Sequence, residues 1–330
     1  MARLWLSIKK TTLVITLFAA AFAAPSGAEE YRAWTGDFMR MGAGARAMGM
    51  GNAYTAVEGD IYSSYFNPAG LSSIKGRQFT FSFRHLTMDR AFRYFALGGP
   101  VGLDAGFALT WLNAGTDDIV GRDLNGNPTG NLEDSRNAFT LSFGKEINKL
   151  LSVGLNAKYT MWKLADDDAK SFGFDFGLSL RPIRNLTASF VVRDINSRYT
   201  WQSDRWAEYI SDADGQTMEK EDEFPAYYTF GLSYKMFDEK LILSTTLESI
   251  EDYPLGVDVG ASYEYNRSFI LRTGFYNYNS SDELDYGSFT AGFTVNVTRS
   301  IGFDYAYMTD GFDDGSIHII SLVMGYGELD

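Results

Sequence analysis

Cysteine is missing from all 330 residues. That excludes disulfides, thiol catalysis and lipid attachment at a cysteine. Histidine occurs only at His85 and His318; a shared metal site would need further ligands in register, and ordinary positions near strand ends account for both. Positive charge is scarce as well. The 29 Lys and Arg face 42 Asp and Glu, a net charge of −13 that argues against nucleic acid, whose phosphates would be repelled. No Ser/His/Asp arrangement stands out, so the chain reads as a non-enzyme with no cofactor or metal. After residue 24 no apolar run is long enough for a transmembrane helix.

The early run is a different matter. Arg3, Lys9 and Lys10 form a basic start, and the apolar stretch from Thr11 to Ala24 follows. Ser26-Gly27-Ala28 supplies small residues for cleavage. Residues 1–28 therefore read as a secretory signal peptide, with Glu29 opening the mature chain. The expected address is the bacterial outer membrane.

What the sequence has in quantity is aromatic side chains and glycine. With 25 Phe, 20 Tyr, 6 Trp and 33 Gly against 7 Pro, the composition is that of a β protein. From residue 77 onward apolar and small residues alternate. "SFGFDFGLSL" puts Phe172, Phe174, Phe176, Leu178 and Leu180 on one face, and Gly173, Asp175, Gly177 and Ser179 on the other. Fourteen such segments can be counted: 77–85, 90–98, 101–113, 136–145, 150–163, 170–181, 185–193, 225–236, 239–250, 255–265, 267–279, 286–297, 299–308 and 316–326. An even number of strands, each long enough to cross a ~25 Å apolar band at a tilt, predicts an all-β, 14-stranded antiparallel transmembrane β-barrel over 77–330.

The connections support this. Those after even-numbered segments are tight and carry Lys145, Lys149, Arg181, Arg184, Lys235, Lys240, Arg267 and Arg299. Those after odd-numbered segments include the long stretches 114–135 and 194–224 and hold most of the acidic excess. Short periplasmic turns and longer external loops are the barrel pattern. The aromatic faces should meet lipid. The small faces should point inward with Arg84, Arg93, Asp104, Lys158, Asp175, Glu248, Asp258, Glu264, Arg272 and Asp304.

Residues 29–76 do not alternate. "MGAGARAMGMGNAY" contains Gly42-x-Gly44-x-x-Ala47, the spacing of a dinucleotide-binding loop, but no hydrophobic strand precedes it and no βαβ unit follows. A fourteen-stranded barrel is too wide for wall side chains alone to fill. The segment is placed to act as an N-terminal hatch, or plug, whose small residues let its backbone approach a Gly/Ser-rich wall. Asn67-Pro68-Ala69 reads as a turn.

These residues carry a resemblance. The stretch 41–74, through Gly42, Gly44, Arg46, Gly49, Gly51, Asn52, Ala53 and the run Asn67-Pro68-Ala69-Gly70-Leu71, resembles the N-terminal hallmark of the PorV/PorQ family within the FadL/TodX superfamily. The closing "GSIHIISLVMGY" is similar to that family's last strand, with Ile319 where Arg is usual. The resemblance implies a fourteen-stranded barrel with an N-terminal hatch containing short helices, in contact with outer-membrane lipid. It implies either protein secretion and surface attachment, with a secreted cargo or secretion machinery as partner, or a FadL-like channel taking up hydrophobic small molecules. For protein contact the candidates are Tyr199, Trp201, Trp206 and Tyr209 in the long connection 194–224. Spaced Asp and Asn at 122–134 and 211–223 hint at calcium, but neither completes a binding loop, and solvated loops account for both.

Overall fold

The computed structural model describes residues 35–87, 89–165, 167–202, 220–251, 255–278, 287–309 and 315–326. Where apolar and small residues alternate the chain is extended. It forms β1 (Arg77–His85), β2 (Arg90–Pro100), β3 (Ala105–Arg122), β4 (Pro128–Asn148), β5 (Leu151–Leu164), β6 (Asp167–Ile183) and β7 (Leu186–Ile195). Next come β8 (Arg198–Gln202), β9 (Lys220–Glu223), β10 (Tyr227–Met236), β11 (Leu241–Ile250) and β12 (Gly256–Asn266). The last four are β13 (Phe269–Tyr278), β14 (Ser288–Asn296), β15 (Ile301–Thr309) and β16 (Ser316–Tyr326).

All pairings are antiparallel. β1 pairs with β16 from Arg77↔Tyr326 to Arg84↔Ile319, and β7 pairs directly with β10. β1–β7 and β10–β16 therefore close into a fourteen-stranded antiparallel barrel. β8 and β9 are a hairpin added at the outer end of β6, through Asp168↔Gln202 to Lys170↔Thr200.

Each expected segment becomes a wall strand, and 77–85 and 316–326 match to the residue. Two long connections differ from expectation. Most of 114–135 is strand, because β3 and β4 keep pairing with each other (Ile119↔Leu132, Val120↔Asn131) after their other neighbours have ended. At 18 and 21 residues they are roughly twice as long as a tilted crossing needs. Their turn is closed by Asp123, whose Oδ1 accepts from the amides of Asn125 and Asn127, both at 2.8 Å. The other connection, 194–224, contains the β8–β9 hairpin.

Phe81, Phe83, Phe107, Leu109, Phe139, Leu141, Phe230 and Phe303 stand exposed on the outside, as a lipid-facing belt requires. Ser82, Ser142, Thr246, Thr290, Asp304 and Ser321 are buried on the inside. Arg84, Lys158, Asp175, Asp258, Arg272 and Asp304 are buried there too, with Glu248 and Glu264 on the same face. Two expectations are corrected. Arg93 lies on the outer face, because its partner across β1 is the exposed Phe83 and its neighbours Phe92 and Tyr94 take the inward positions. Asp104 sits in the turn before β3, exposed and 2.8 Å from Lys145.

Candidate functional site

Residues 35–76, ahead of β1, pack inside the barrel. Four short helical turns, Asp37–Arg40, Ala45–Met48, Ser63–Phe66 and Pro68–Ser73, are linked by loops whose residues are almost all buried. So short a helix has little stability of its own. The wall supplies it.

Gly106, Gly144, Gly154 and Gly177 are paired in sequence across β3 to β6, making one row of missing side chains. The run Asn67–Leu71 lies along that row. A Cβ on Gly106 would strike Leu71 O, one on Gly144 would strike Pro68 O, and one on Gly154 would strike Ala69 N. On the opposite wall Gly260 pairs with Gly274, and Met50 and Gly51 lie against them. Backbone thus packs on backbone around much of the circumference, as only glycine permits. These wall glycines are the counterpart of the motif. The alternating pattern placed them on the inner face, but only the register across strands shows that they form rows.

The motif residues themselves divide into shape and anchorage. Gly42, Gly44 and Gly51 have positive φ of 76°, 81° and 61°. Met48, Tyr62 and the Phe275 backbone occupy the space of their absent side chains. Gly49 follows the Ala45–Met48 turn and rests on Gly292, 3.3 Å from its Cα to a notional Cβ. Gly70 is likewise pressed against Ser63. Asn67 caps the Pro68–Ser73 turn by accepting from Ala69 N at 3.1 Å, and Pro68 fits the first position, where no amide is needed. The Asn67 amide also donates to Ser179 Oγ at 3.0 Å, fixing the cap to β6. Asn52 donates to Asp258 Oδ2 at 3.4 Å, and Gly51 N to Thr290 Oγ1 at 2.9 Å.

Charge supplies the remaining anchors. Arg46 reaches Asp60 and the buried Asp304, each at 3.2 Å. Arg181 holds Glu58 at 2.8 Å near the tight turns, and Arg136 holds Asp37 at 2.9 Å toward the outer end. Arg40 pairs with Asp194, which also receives Lys158, and Lys158 contacts Asp175 at 2.6 Å. Arg84 donates to Met41 O and Gly42 O, and Arg193 to Tyr65 O and Phe66 O. Tyr54 donates to Asp60 at 2.6 Å; burial first, and then the adjoining carboxylate, push its phenol well above the ordinary value, keeping it a donor. Arg181 was placed in the sequence only as a tight-turn cation, and Arg193 and Asp194 were not singled out. The one signal was the consecutive pair Arg193-Asp194, which breaks the alternation.

A cavity of about 30 Å³, bordered by Arg40, Tyr65, Tyr94, Asn156, Lys158 and Arg193, remains within this packing. It has room for a water molecule or two, far below the several hundred Å³ of a ligand pocket. Asn156 Oδ1 and Arg193 Nε are buried beside it without protein partners.

Of the aromatics expected to face outside partners, Tyr199 is buried against Trp162, Trp201 and Phe224, with ring centroids 5.0 to 6.2 Å apart. It is unavailable as an external contact, because the β8–β9 hairpin turns this face down onto the N-terminal segment. Trp201 is half-buried in the same cluster, its indole N–H donating to Asp222 at 2.7 Å. Trp206 and Tyr209 lie outside the described residues, as do the signal peptide and the loop 211–223 up to Thr217-Met218-Glu219.

Among solved structures the chain is similar to a CymD monoaromatic hydrocarbon channel, with a TM-score of 0.58, 14% identity, and 88% of this chain covering 99% of that one. It is also similar to the Pseudomonas putida toluene transporter TodX, with a TM-score of 0.56, 15% identity and coverage of 86% and 96%. A third neighbour is a Pseudomonas aeruginosa FadL homologue, with a TM-score of 0.56, 11% identity and coverage of 86% and 98%. No protein-family model and no curated protein matches the sequence. The fourteen-stranded barrel is thus similar in fold to these channels, and at such identities the likeness extends to the fold alone.

Proposed function

We propose that the chain is a non-enzymatic outer-membrane channel for small hydrophobic molecules, with residues 29–76 acting as its hatch. The observation that carries this reading is the N-terminal segment docked on the glycine rows, backbone against backbone, across the inside of the barrel. A wall built to receive a backbone, on a barrel shaped like hydrocarbon channels, suits a stopper that must seat closely and still be displaced. The direct test is uptake of a labelled monoaromatic hydrocarbon by intact cells with and without the chain. Faster uptake with the chain supports the reading; equal rates oppose it.

A second reading, secretion or surface attachment in the PorV/PorQ manner, is favoured by the motif at 41–74 and by the tall acidic β3–β4 hairpin, which offers contact area beyond the wall. Mild-detergent purification with mass spectrometry separates the two. A stoichiometric secreted protein supports the second reading, and a bound apolar small molecule the first.

A further inference from the structure

β7 contains an irregularity where it leaves β6. Phe176 pairs with Val192 and Phe174 with Ile195, so Arg193 and Asp194 together oppose the single residue Asp175. In a regular strand, successive side chains take opposite faces. Here the bulge, with Asp194 at φ 56°, turns both inward, and both are buried.

Both residues hold the N-terminal segment. Arg193 takes the carbonyls of Tyr65 and Phe66 at 2.9 and 2.7 Å, and Asp194 takes Arg40. The same bulge begins the path to the β8–β9 hairpin. Ser197 N donates to Asp194 O at 3.0 Å, and Phe224 N donates to Ser197 O at 3.2 Å. The Phe224 ring then lies where a side chain on Gly36 would be, 2.6 Å from a notional Cβ to Cδ2. Gly36 opens the Asp37–Arg40 turn, which returns Arg40 to Asp194. The contacts form a closed circuit: Asp194, Ser197, Phe224, Gly36, Arg40 and Asp194 again.

We propose that Asp194 is the residue positioning the hatch in its closed seat, and that displacement of the β8–β9 hairpin from outside releases it. This rests on the reading of the N-terminal segment as a stopper. Charge makes the release feasible. When Arg40 withdraws, Lys158 and Arg193 remain beside Asp175 and Asp194, two cations for two carboxylates, so no carboxylate is stranded in the wall. Two wall anchors lack this link, since Asp304 lies mid-strand on β15 and Arg181 by the tight turns, whereas Arg136 shares it through Trp162, which packs on Tyr199 and Trp201 of β8.

Ion conductance of the full chain in planar bilayers reads the seat without knowledge of the cargo. Gel mobility of unboiled samples shows that each variant is folded. Asp194→Asn is expected to raise open probability by about tenfold or more, since it deprives buried Arg40 of its counter-charge. Phe224→Ala, which touches no charge, is expected to raise it in the same direction. Arg181→Gln is expected to raise it far less. The inference is overturned if wild type is closed and Asp194→Asn or Phe224→Ala is equally closed, or if Arg181→Gln opens the barrel as much as Asp194→Asn. Steady full conductance by wild type sinks the stopper reading and this inference with it.

Discussion

The side-chain oxygen of Asn67 occupies the space that a Cβ on Gly177 would need. The Asn67 amide donates onward to Ser179 Oγ, on the same face of the same strand. A missing atom in the wall is thus filled by a cap of the hatch, and the two sequences are complementary at the level of single atoms.

Filling the row should therefore unseat the segment. Gly154→Val would thrust a side chain onto Ala69 N and Pro68. Overpacking at this site should cost roughly 1–3 kcal/mol. Limited proteolysis would show it as faster cutting within 35–76 while unboiled gel mobility is kept; unchanged protection would count against the docking.

Asn67→Asp separates the two roles of the cap. A carboxylate still accepts from Ala69 N but cannot donate to Ser179 Oγ, Thr55 O or Leu178 O. The expected loss is about 1–3 kcal/mol, from unpaired buried groups rather than from the cap. The readout is the midpoint of heat-induced mobility change.

Ion pairs in the two settings should differ sharply. Asp304 is buried, with Arg46 at 3.2 Å and Arg272 at 3.8 Å. Asp304→Ala leaves the buried Arg272 without its carboxylate and Arg46 with Asp60 alone, and is expected to cost about 3–5 kcal/mol. Asp104→Ala removes the exposed partner of Lys145 and should leave the same unfolding midpoint unchanged. Equal effects would contradict the inner-wall assignment.

The turn at 123–127 should be sensitive to acid. Hydrogen bonds from the Asn127 side chain, and then from backbone amides, hold the Asp123 carboxyl below the usual carboxylate range. A depressed value means the ionised form is favoured in the folded turn. Its stabilisation is present at neutral pH and is lost as pH falls through that lowered value. Carbon-detected NMR titration of the Asp123 carboxyl tests this; an ordinary value would show the turn is not formed.

Much of the barrel was legible because alternation is a local property. "SFGFDFGLSL" states its own inner and outer faces, and fourteen such runs state the wall. The same cue failed in "RAFRYFALGGP", where Phe92, Tyr94 and Arg93 stand in both registers and only pairing with β1 decides. The composition of 114–135, rich in Gly, Asn and Asp, concealed a hairpin held by cross-strand pairing and by the Asp123 turn. At the hatch, the motif residues were visible, but their receptors were not. Gly106, Gly144, Gly154 and Gly177 are far apart in sequence and become a row only through register. Asp194 was hidden for the same reason, since a bulge is defined by what lies opposite.

The most direct measurement compares single-channel conductance of the intact protein with that of a folded variant lacking residues 35–74. The account predicts that the intact barrel stays closed for most of the record and that the variant conducts continuously. Equal conductance from the two would show that the N-terminal segment does not close the barrel, and would contradict the account.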